Sequence, residues 1–401
     1  MQLKRSVVTS FANTPVPSSA DDAYNEGVYV LHMDSSPGQP ICCALSDYSI
    51  QLYDRETLRK IHHIPNAHDR AITDLSSIQK QDPDPSNCNS NHVHLIASSG
   101  EDGFVKIFDA RLSNNIPTKA ATQIRAPQDG EEVLNFSAGY DGNLFAVGTD
   151  KAQIHFYDVR NPSVLLGSYV DAHTEEVTCV KFQSSTTSST LLLTASEDGL
   201  INIHDTCQAT EETSLNTVLN ILTPIRKAGF FGPNLEGVYC LTGSETLSVH
   251  HHDSAQPIND FGGLQLRETL TTSIQSAFPI QYLADCHWDG QNLSLLAGSY
   301  DGLTAAFQVN ADSITPTFFL NNGHKGGIRA FDWNDSVDGA NDCMIVTGGE
   351  DARLCQWTSS KAETSSFVPS YASNNSKNSA AARGAKARKK KKKHAQSHSP
   401  Y

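Results

Sequence analysis

The chain has 401 residues, a mass of 43.5 kDa and a formal charge of −14, with 38% hydrophobic and 18% charged residues. Its longest apolar run, Ile41–Leu45, falls far short of the ~18–20 residues that a membrane-spanning helix needs. Nine cysteines at irregular spacings, with no Cys-x-x-Cys, argue against a disulfide or zinc framework and for a reducing compartment. The N-terminus has basic residues but no long apolar core, so no secretory signal is expected.

In chain order, Leu3–Ser10 comes first and has the β-branched content of a strand. From Ile41 onward one unit recurs: an apolar strand running into a tight acidic turn, then a strand ending in an aromatic residue and Asp. It occupies Ile41–Asp54, Leu95–Asp109, Leu144–Asp158 and Leu191–Asp205, then a weaker copy at Gly237–Asp253, then Leu293–Gln308 and Met344–Thr358. The last residues of these copies step by 55, 49, 47, 48, 55 and 50 positions, a repeat whose units must stack to bury their faces. Three copies are preceded by a small residue and His (Ala67-His68, Ala172-His173, Gly323-His324) and then an apolar strand. The same three hold Ser or Thr four residues before the turn Asp, as Ser98/Asp102, Thr194/Asp198 and Thr347/Asp351. Six residues past that Asp stand Phe108, His204 and Trp357.

These motifs resemble the WD-repeat family, and over residues 24 to about 360 the chain resembles the WD repeat-containing protein 89 family. The segments Gly323–Asn334 with Val346–Trp357, and His173–Phe182 with Ser196–Asp205, carry the likeness. The resemblance implies an all-β fold, a seven-bladed propeller over residues 1–360. It also implies that the His, Ser/Thr, Asp and Trp357 side chains form structural hydrogen-bond sets, because buried polar groups must be partnered. Only the last repeat keeps Trp, so the other sets should be shorter. The last repeat ends at Trp357 without an outer strand of its own, and Leu3–Ser10 is expected to supply it beside Leu354–Trp357.

Chemistry finds little support in the sequence. There is no phosphate-binding Gly-rich loop, no nucleophile elbow and no His-Glu-x-x-His, so no catalytic residue and no cofactor are expected. On a strand, at most two imidazoles of His250-His251-His252-Asp253 could converge, so no metal site is expected. His62-His63 and His92/His94 are expected in turns. Partner binding has two candidates. Phe108-Asp109-Ala110-Arg111 and Tyr157-Asp158-Val159-Arg160 resemble the Trp-Asp-x-Arg box of substrate receptors of cullin-type ubiquitin ligases, with Phe or Tyr for Trp. Strand order puts Arg111 and Arg160 side by side on one rim, as bidentate donors to an acidic partner such as a ligase adaptor. The competing reading is a local ion pair that closes a turn. Insertions at Gln79–His92, Ser184–Thr190 and Asn334–Asp342 are expected on that rim, and Gly262–Phe278 as a long loop on the opposite one.

The second candidate is the tail. Residues 377–401 carry nine Lys and Arg and no acid, which leaves −23 on residues 1–376. Residues 361–401 read as a disordered Ser/Asn- and Lys/Arg-rich segment. Arg383, Lys386, Arg388, Lys389, Lys390, Lys391, Lys392 and Lys393 suit an import receptor or RNA phosphates. The function expected is therefore a non-catalytic scaffold that binds proteins or peptides on its rims, in the nucleus and also the cytoplasm. The alternatives are a receptor of a cullin-type ligase and an RNA-associated assembly factor; no membrane partner is expected.

Overall fold

The computed structural model describes residues 4–10, 27–34, 39–80, 93–109, 119–183, 189–261, 265–334 and 344–358. Twenty-eight strands form seven four-stranded antiparallel sheets, the blades of a propeller. β1 (Lys4–Ser10) opens the chain. Blade 1 is β2 (Val30–Asp34), β3 (Ile41–Leu45), β4 (Ile50–Tyr53) and β5 (Lys60–Ile64). Blade 2 is β6 (Ile72–Lys80), β7 (Val93–Gly100), β8 (Phe104–Asp109) and β9 (Thr122–Arg125). Blade 3 is β10 (Val133–Gly139), β11 (Leu144–Thr149), β12 (Ile154–Asp158) and β13 (Leu165–Tyr169). Blade 4 is β14 (Val177–Phe182), β15 (Leu191–Ser196), β16 (Leu200–Asp205) and, after a single helical turn α1 (Glu211–Ser214), β17 (Leu215–Asn220). Blade 5 is β18 (Ile225–Phe231), β19 (Gly237–Thr242), β20 (Leu247–His251) and β21 (Pro257–Asp260). After helix α2 (Leu266–Ser273), blade 6 is β22 (Tyr282–Trp288), β23 (Leu293–Gly298), β24 (Thr304–Val309) and β25 (Ile314–Leu320). Blade 7 is β26 (Ile328–Asn334), β27 (Met344–Gly349), β28 (Arg353–Thr358) and the returning β1.

That return closes the ring. β1 runs antiparallel to β28 from Lys4↔Thr358 to Ser10↔Arg353, so the first strand of the chain is the outer strand of the last blade. Closure leaves only short outer edges, which is how an all-β ring limits unpaired strands.

The apolar core is divided rather than central. Each blade is buried on both faces, which is why its middle strands read as nearly unbroken apolar runs. Seven separate clusters result, one per blade-to-blade interface; one joins Phe136, Phe145 and Tyr157 of blade 3 to Ile78, Val105 and Ile107 of blade 2. Another joins Val30, Ile41 and Cys43 of blade 1 to Ala330, Val346 and Leu354 of blade 7. Between the second and third strand of every blade the chain turns through a left-handed residue: Tyr48, Gly103, Ala152, Gly199, Glu245, Gly302 and Ala352 all have φ between 58° and 83°. Gly302 is needed for a second reason, since a Cβ there would lie 2.5 Å from the His324 carbonyl.

Two expectations are corrected. The segment Gly262–Phe278, expected as a long loop, forms α2 over Leu266–Ser273. Leu266, Leu270 and Ile274 recur every four residues on one face and are buried with Phe278 among side chains of blades 5 and 6. His62 and His63, expected in a turn, lie on β5, and His94 lies on β7. Of the expected insertions Gln79–His92, Ser184–Thr190 and Asn334–Asp342, residues 81–92, 184–188 and 335–342, His92 among them, lie outside the described residues.

Candidate functional site

Three blades bring the expected polar residues together. In blade 2, His68 lies with Nδ1 2.9 Å from Asp102 Oδ1 and Nε2 2.8 Å from the Ser98 hydroxyl. In blade 4, His173 has Asp198 at 3.1 Å and Thr194 at 2.9 Å. In blade 7, His324 has Asp351 at 2.9 Å and Thr347 at 2.8 Å, and Trp357 Nε1 donates to the Thr347 hydroxyl at 2.8 Å. Phe108 and His204 occupy the place of Trp357 in the other two blades; His204 Nδ1 turns to Ser214 Oγ at 3.0 Å instead. Each Asp also accepts the next backbone N–H, from Asp69, Thr174 and Lys325. Burial alone would raise the Asp102 carboxyl, but the bonds from His68, Asp69 and Lys106 outweigh it and hold it well below the usual carboxylate range. Burial lowers His173 despite the nearby Asp198.

These Ser/Thr-His-Asp sets contain the groups of a hydrolytic triad, yet they are closed to substrate. The side chains of His68, His173 and His324 are 0% exposed, and Ser98, Thr194 and Thr347 are buried. Both ring nitrogens of each imidazole are occupied. The sets join the loop before a blade's inner strand to its second strand, and that is structural work.

Blade 3 has a set that the repeat pattern conceals. His155, on β12, meets Glu131 Oε1 at 2.9 Å and Ser168 Oγ at 2.7 Å, with the side chains 1% and 0% exposed. Burial raises the Glu131 carboxyl, but hydrogen bonds from His155 and Thr149 bring it below its ordinary value. Here the acid sits in the loop before the inner strand and the imidazole on the third strand, whereas the other blades have the imidazole in that loop and the acid in the turn between the second and third strands. A Glu-Glu pair before an apolar strand, with a His three residues before the blade's closing Asp, was the available signal.

Of the two boxes, Asp158 and Arg160 are seen whole. Arg160 folds back so that Nε meets Asp158 Oδ1 at 2.9 Å and a terminal nitrogen meets Oδ2 at 2.6 Å. The expected free bidentate donor is thus already engaged, in the local ion pair that closes the turn, although the side chain is 71% exposed. Asp109 ends β8; Arg111 lies outside the described residues, as do Arg383, Lys386, Arg388 and Lys389 to Lys393.

The channel through the ring was missed by sequence reasoning. All seven inner strands carry a bulge at the same point, where the register skips Leu31, Thr73, Leu134, Thr178, Arg226, Ala284 and Arg329. A bulge re-aims the side chains beyond it. His32, Asp74, Lys227 and Asp285 follow directly, and Asp34, Lys181 and Asp332 two residues later, on the same face of their strands. The resulting cavity, about 720 Å³, carries six acids and four cations around its wall. Lys227 meets Asp285 at 2.8 Å, Arg329 meets Glu350 at 2.7 Å and Arg55 meets Asp332 at 3.0 Å. Asp74 above all holds the Lys181 ammonium above its ordinary value, against the effect of burial. Burial pushes His32 down to about 4, and burial also raises Asp34 to about 6 against a hydrogen bond from the Ser77 N–H.

The three consecutive histidines do not converge. His250 Nε2 meets Ser248 Oγ at 3.1 Å and His252 Nδ1 meets its neighbour Asp253 at 2.8 Å. Among the described residues no group of three or more His, Cys, Asp or Glu could hold a metal ion. No described helix is long and apolar enough to cross a membrane.

A closed ring of seven four-stranded blades, tied by His, Ser/Thr and Asp from loop to strand, is the architecture of a WD-repeat propeller. The chain belongs to the WD-repeat protein family. It is 30% identical over 279 residues, 68% of each chain, to the WD repeat-containing protein GTS1 of Arabidopsis thaliana. It is 26% identical over 348 residues to the WD repeat-containing protein 89 homolog of Dictyostelium discoideum, covering 86% of this chain and 87% of that one. Residues 73–237 match the family model "Nucleolar protein 10-like, N-terminal domain". A chain in a crystal structure of the mitotic checkpoint complex superposes with a TM-score of 0.61 at 13% identity, over 89% of this chain and 94% of that one, a likeness of fold.

Proposed function

We propose that this protein is a non-catalytic nuclear scaffold that holds partner proteins against the rims and sides of a rigid propeller. One observation carries the reading: the side chains best suited to chemistry, the Ser/Thr-His-Asp sets, are buried with both imidazole nitrogens bonded, so they serve the ring and leave its surfaces to recognition. WD-repeat relatives are in general interaction scaffolds, which supports the coarser part of the proposal. The basic segment Arg383 to Lys393, and a family model described as nucleolar for residues 73–237, support the nuclear part.

A ligase-receptor reading rests on Asp158 and Arg160, a pair whose guanidinium is exposed at a blade corner. The experiment is a cross-linked pull-down of tagged wild type beside the Arg111→Ala/Arg160→Ala double variant, with partners identified by mass spectrometry. A stable set of proteins held by both supports the scaffold. A cullin and its adaptor held by wild type and lost from the variant would make the chain a ligase receptor. Recovery of no stoichiometric protein partner would overturn both. Deleting residues 377–401 tests the nuclear reading by imaging: the protein should shift to the cytoplasm, and unchanged distribution would remove it.

A further inference from the structure

Seven of the ten large apolar side chains that lie exposed among the described residues fall between 164 and 222, on the outer strands of two neighbouring blades or within two residues of their ends. Val164, Leu165 and Leu166 are consecutive and 49%, 39% and 58% exposed, at the start of β13; Val170 follows at its other end at 49%. A run of three exposed apolar residues is something soluble proteins avoid unless it is used. Leu166 is the extra residue of a bulge, because Phe156 pairs with Gly167 and Tyr157 with Leu165. The space around Gly167 is open: a Cβ there would meet nothing within 4 Å.

β17 faces the same place. His204 pairs with Leu215 and Asn202 with Val218, so Leu215 and Val218 share the face of blade 4 that carries His204. That imidazole lies 4.7 Å from the Tyr169 ring of β13, centroid to centroid. Leu215 and Val218, 41% and 42% exposed, therefore lie on the side of blade 4 turned to β13, with the Tyr169–His204 stack, while Leu166, beside Leu165 opposite Tyr157, lies on the other face of the β13 edge. β13 pairs only with β12, so its outer row of backbone groups meets no other strand.

Charge selects the occupant. Residues 158–176 and 205–222, which bear the strip, contain seven Asp and Glu against one cation, Arg160, and that guanidinium is bound to Asp158. Asp171, Glu175, Glu176 and Glu212 are exposed. A second copy of this chain would set those acids against one another, which costs free energy at ordinary ionic strength.

We propose that the outer edge of blade 3 is a docking site for an extended peptide segment of a partner protein, apolar at its centre and with lysine or arginine at its flanks, which adds beside β13 as a fifth strand. Main-chain bonds to the β13 edge hold it, side chains on one of its faces cover Leu215 and Val218 while one on its other face covers Leu166, and its cations meet the acids around the strip. The inference rests on the scaffold reading only for the existence of partners; it names one surface and the chemistry of what fits there.

The test uses the full chain and two labelled synthetic peptides with the same Val/Thr core, one flanked by lysines and one by glutamates, followed by fluorescence anisotropy. The lysine-flanked peptide should bind and weaken as salt rises from about 50 to about 500 mM; the glutamate-flanked one should not bind. Leu166→Asp and Val218→Asp should each weaken binding about tenfold or more, about 1.4 kcal/mol, whereas Ile61→Asp, an exposed apolar site on blade 1, should not. The added carboxylate would strengthen a purely electrostatic contact, so its failure to do so isolates the apolar strip. Circular dichroism checks that each variant is folded. Binding of neither peptide, or binding that survives both strip variants, overturns the proposal. So does a dimer in light scattering that Leu166→Asp dissolves, because the occupant is then a second copy. All three results leave the pull-down free to succeed on another surface.

Discussion

A methyl group on Gly323 would lie 2.5 Å from Cζ2 and Cη2 of the Trp357 indole, so the residue before His324 is glycine because its blade carries tryptophan. The equivalent pairs are Ala67 with Phe108 and Ala172 with His204, where a smaller ring leaves room for a methyl. These three blades thus balance volume between loop and third strand, as close-packed interiors require.

The pairing predicts coupled mutations. Gly323→Ala alone forces the indole aside and should cost about 1–3 kcal/mol, the range for overpacking a core. Trp357→Phe alone loses ring volume and the bond to Thr347, and should cost about 1–3 kcal/mol. Combined, they recreate the Ala/Phe pair of blade 2, so the double variant should be more stable than the sum of the two costs implies. Urea unfolding of the four proteins measures the coupling; strict additivity would mean that the contact carries no strain.

How much of this was legible in sequence depends on what each strand buries. The second and third strands of every blade are buried on both faces and joined by a left-handed turn, so the apolar run, the turn Asp or Gly and the closing Asp mark them clearly. The three His–Ser/Thr–Asp sets followed from the same spacing. The channel did not, because a bulge in each inner strand breaks the alternation by which Asp74, Lys181 or Asp285 would be assigned a face. Nor did the exchange of Glu131 and His155, which keeps the bond while moving both partners to other places in the repeat. The α2 segment was read as loop by its position between blades, although Leu266, Leu270 and Ile274 have helical spacing.

Ring closure by β1 rests on backbone pairing with β28, from Lys4↔Thr358 to Ser10↔Arg353. Deleting residues 1–12 would leave blade 7 with three strands and an open outer edge over the buried Leu354, Cys355 and Trp357. The melting temperature should fall by at least ~5 °C, and aggregation should follow unfolding more quickly. An unchanged thermogram would show that β1 is dispensable for closure.

The Glu131–His155 pair is buried on both sides, so removing one partner takes from the other a bond that water cannot replace, although Ser168 still meets His155 and the Gln128 N–H still meets Glu131. Glu131→Ala and His155→Ala should each cost about 3 kcal/mol or more, and the double variant clearly less than their sum. A double-mutant cycle by chemical denaturation reads this directly. If the single costs are small and additive, the bond contributes little and blade 3 is held by its apolar faces alone.

His204 predicts a pH dependence with a definite sign. Burial is the main reason its imidazole is lowered to about 4, with His173 adding to it, and Nε2 is buried without a partner. An unfolded histidine protonates near 6.5, so the unfolded chain takes up a proton first as the solution is acidified. The neutral folded form is then fully favourable above about pH 6.5 and loses stability as pH falls from there towards 4. His204→Phe places in blade 4 the ring that blade 2 has at Phe108, keeps the stack on Tyr169, and leaves Ser214 Oγ donating to the Glu211 carbonyl. The variant should match wild type near pH 7 and exceed it at pH 5 by on the order of 2 kcal/mol. Asp34, raised to about 6, acts in the opposite direction over the same range, but it is common to both proteins and cancels in their difference. Denaturant titrations of the pair at pH 7 and pH 5 are sufficient; a difference independent of pH would mean that His204 takes up its proton in the folded ring as readily as in the unfolded chain.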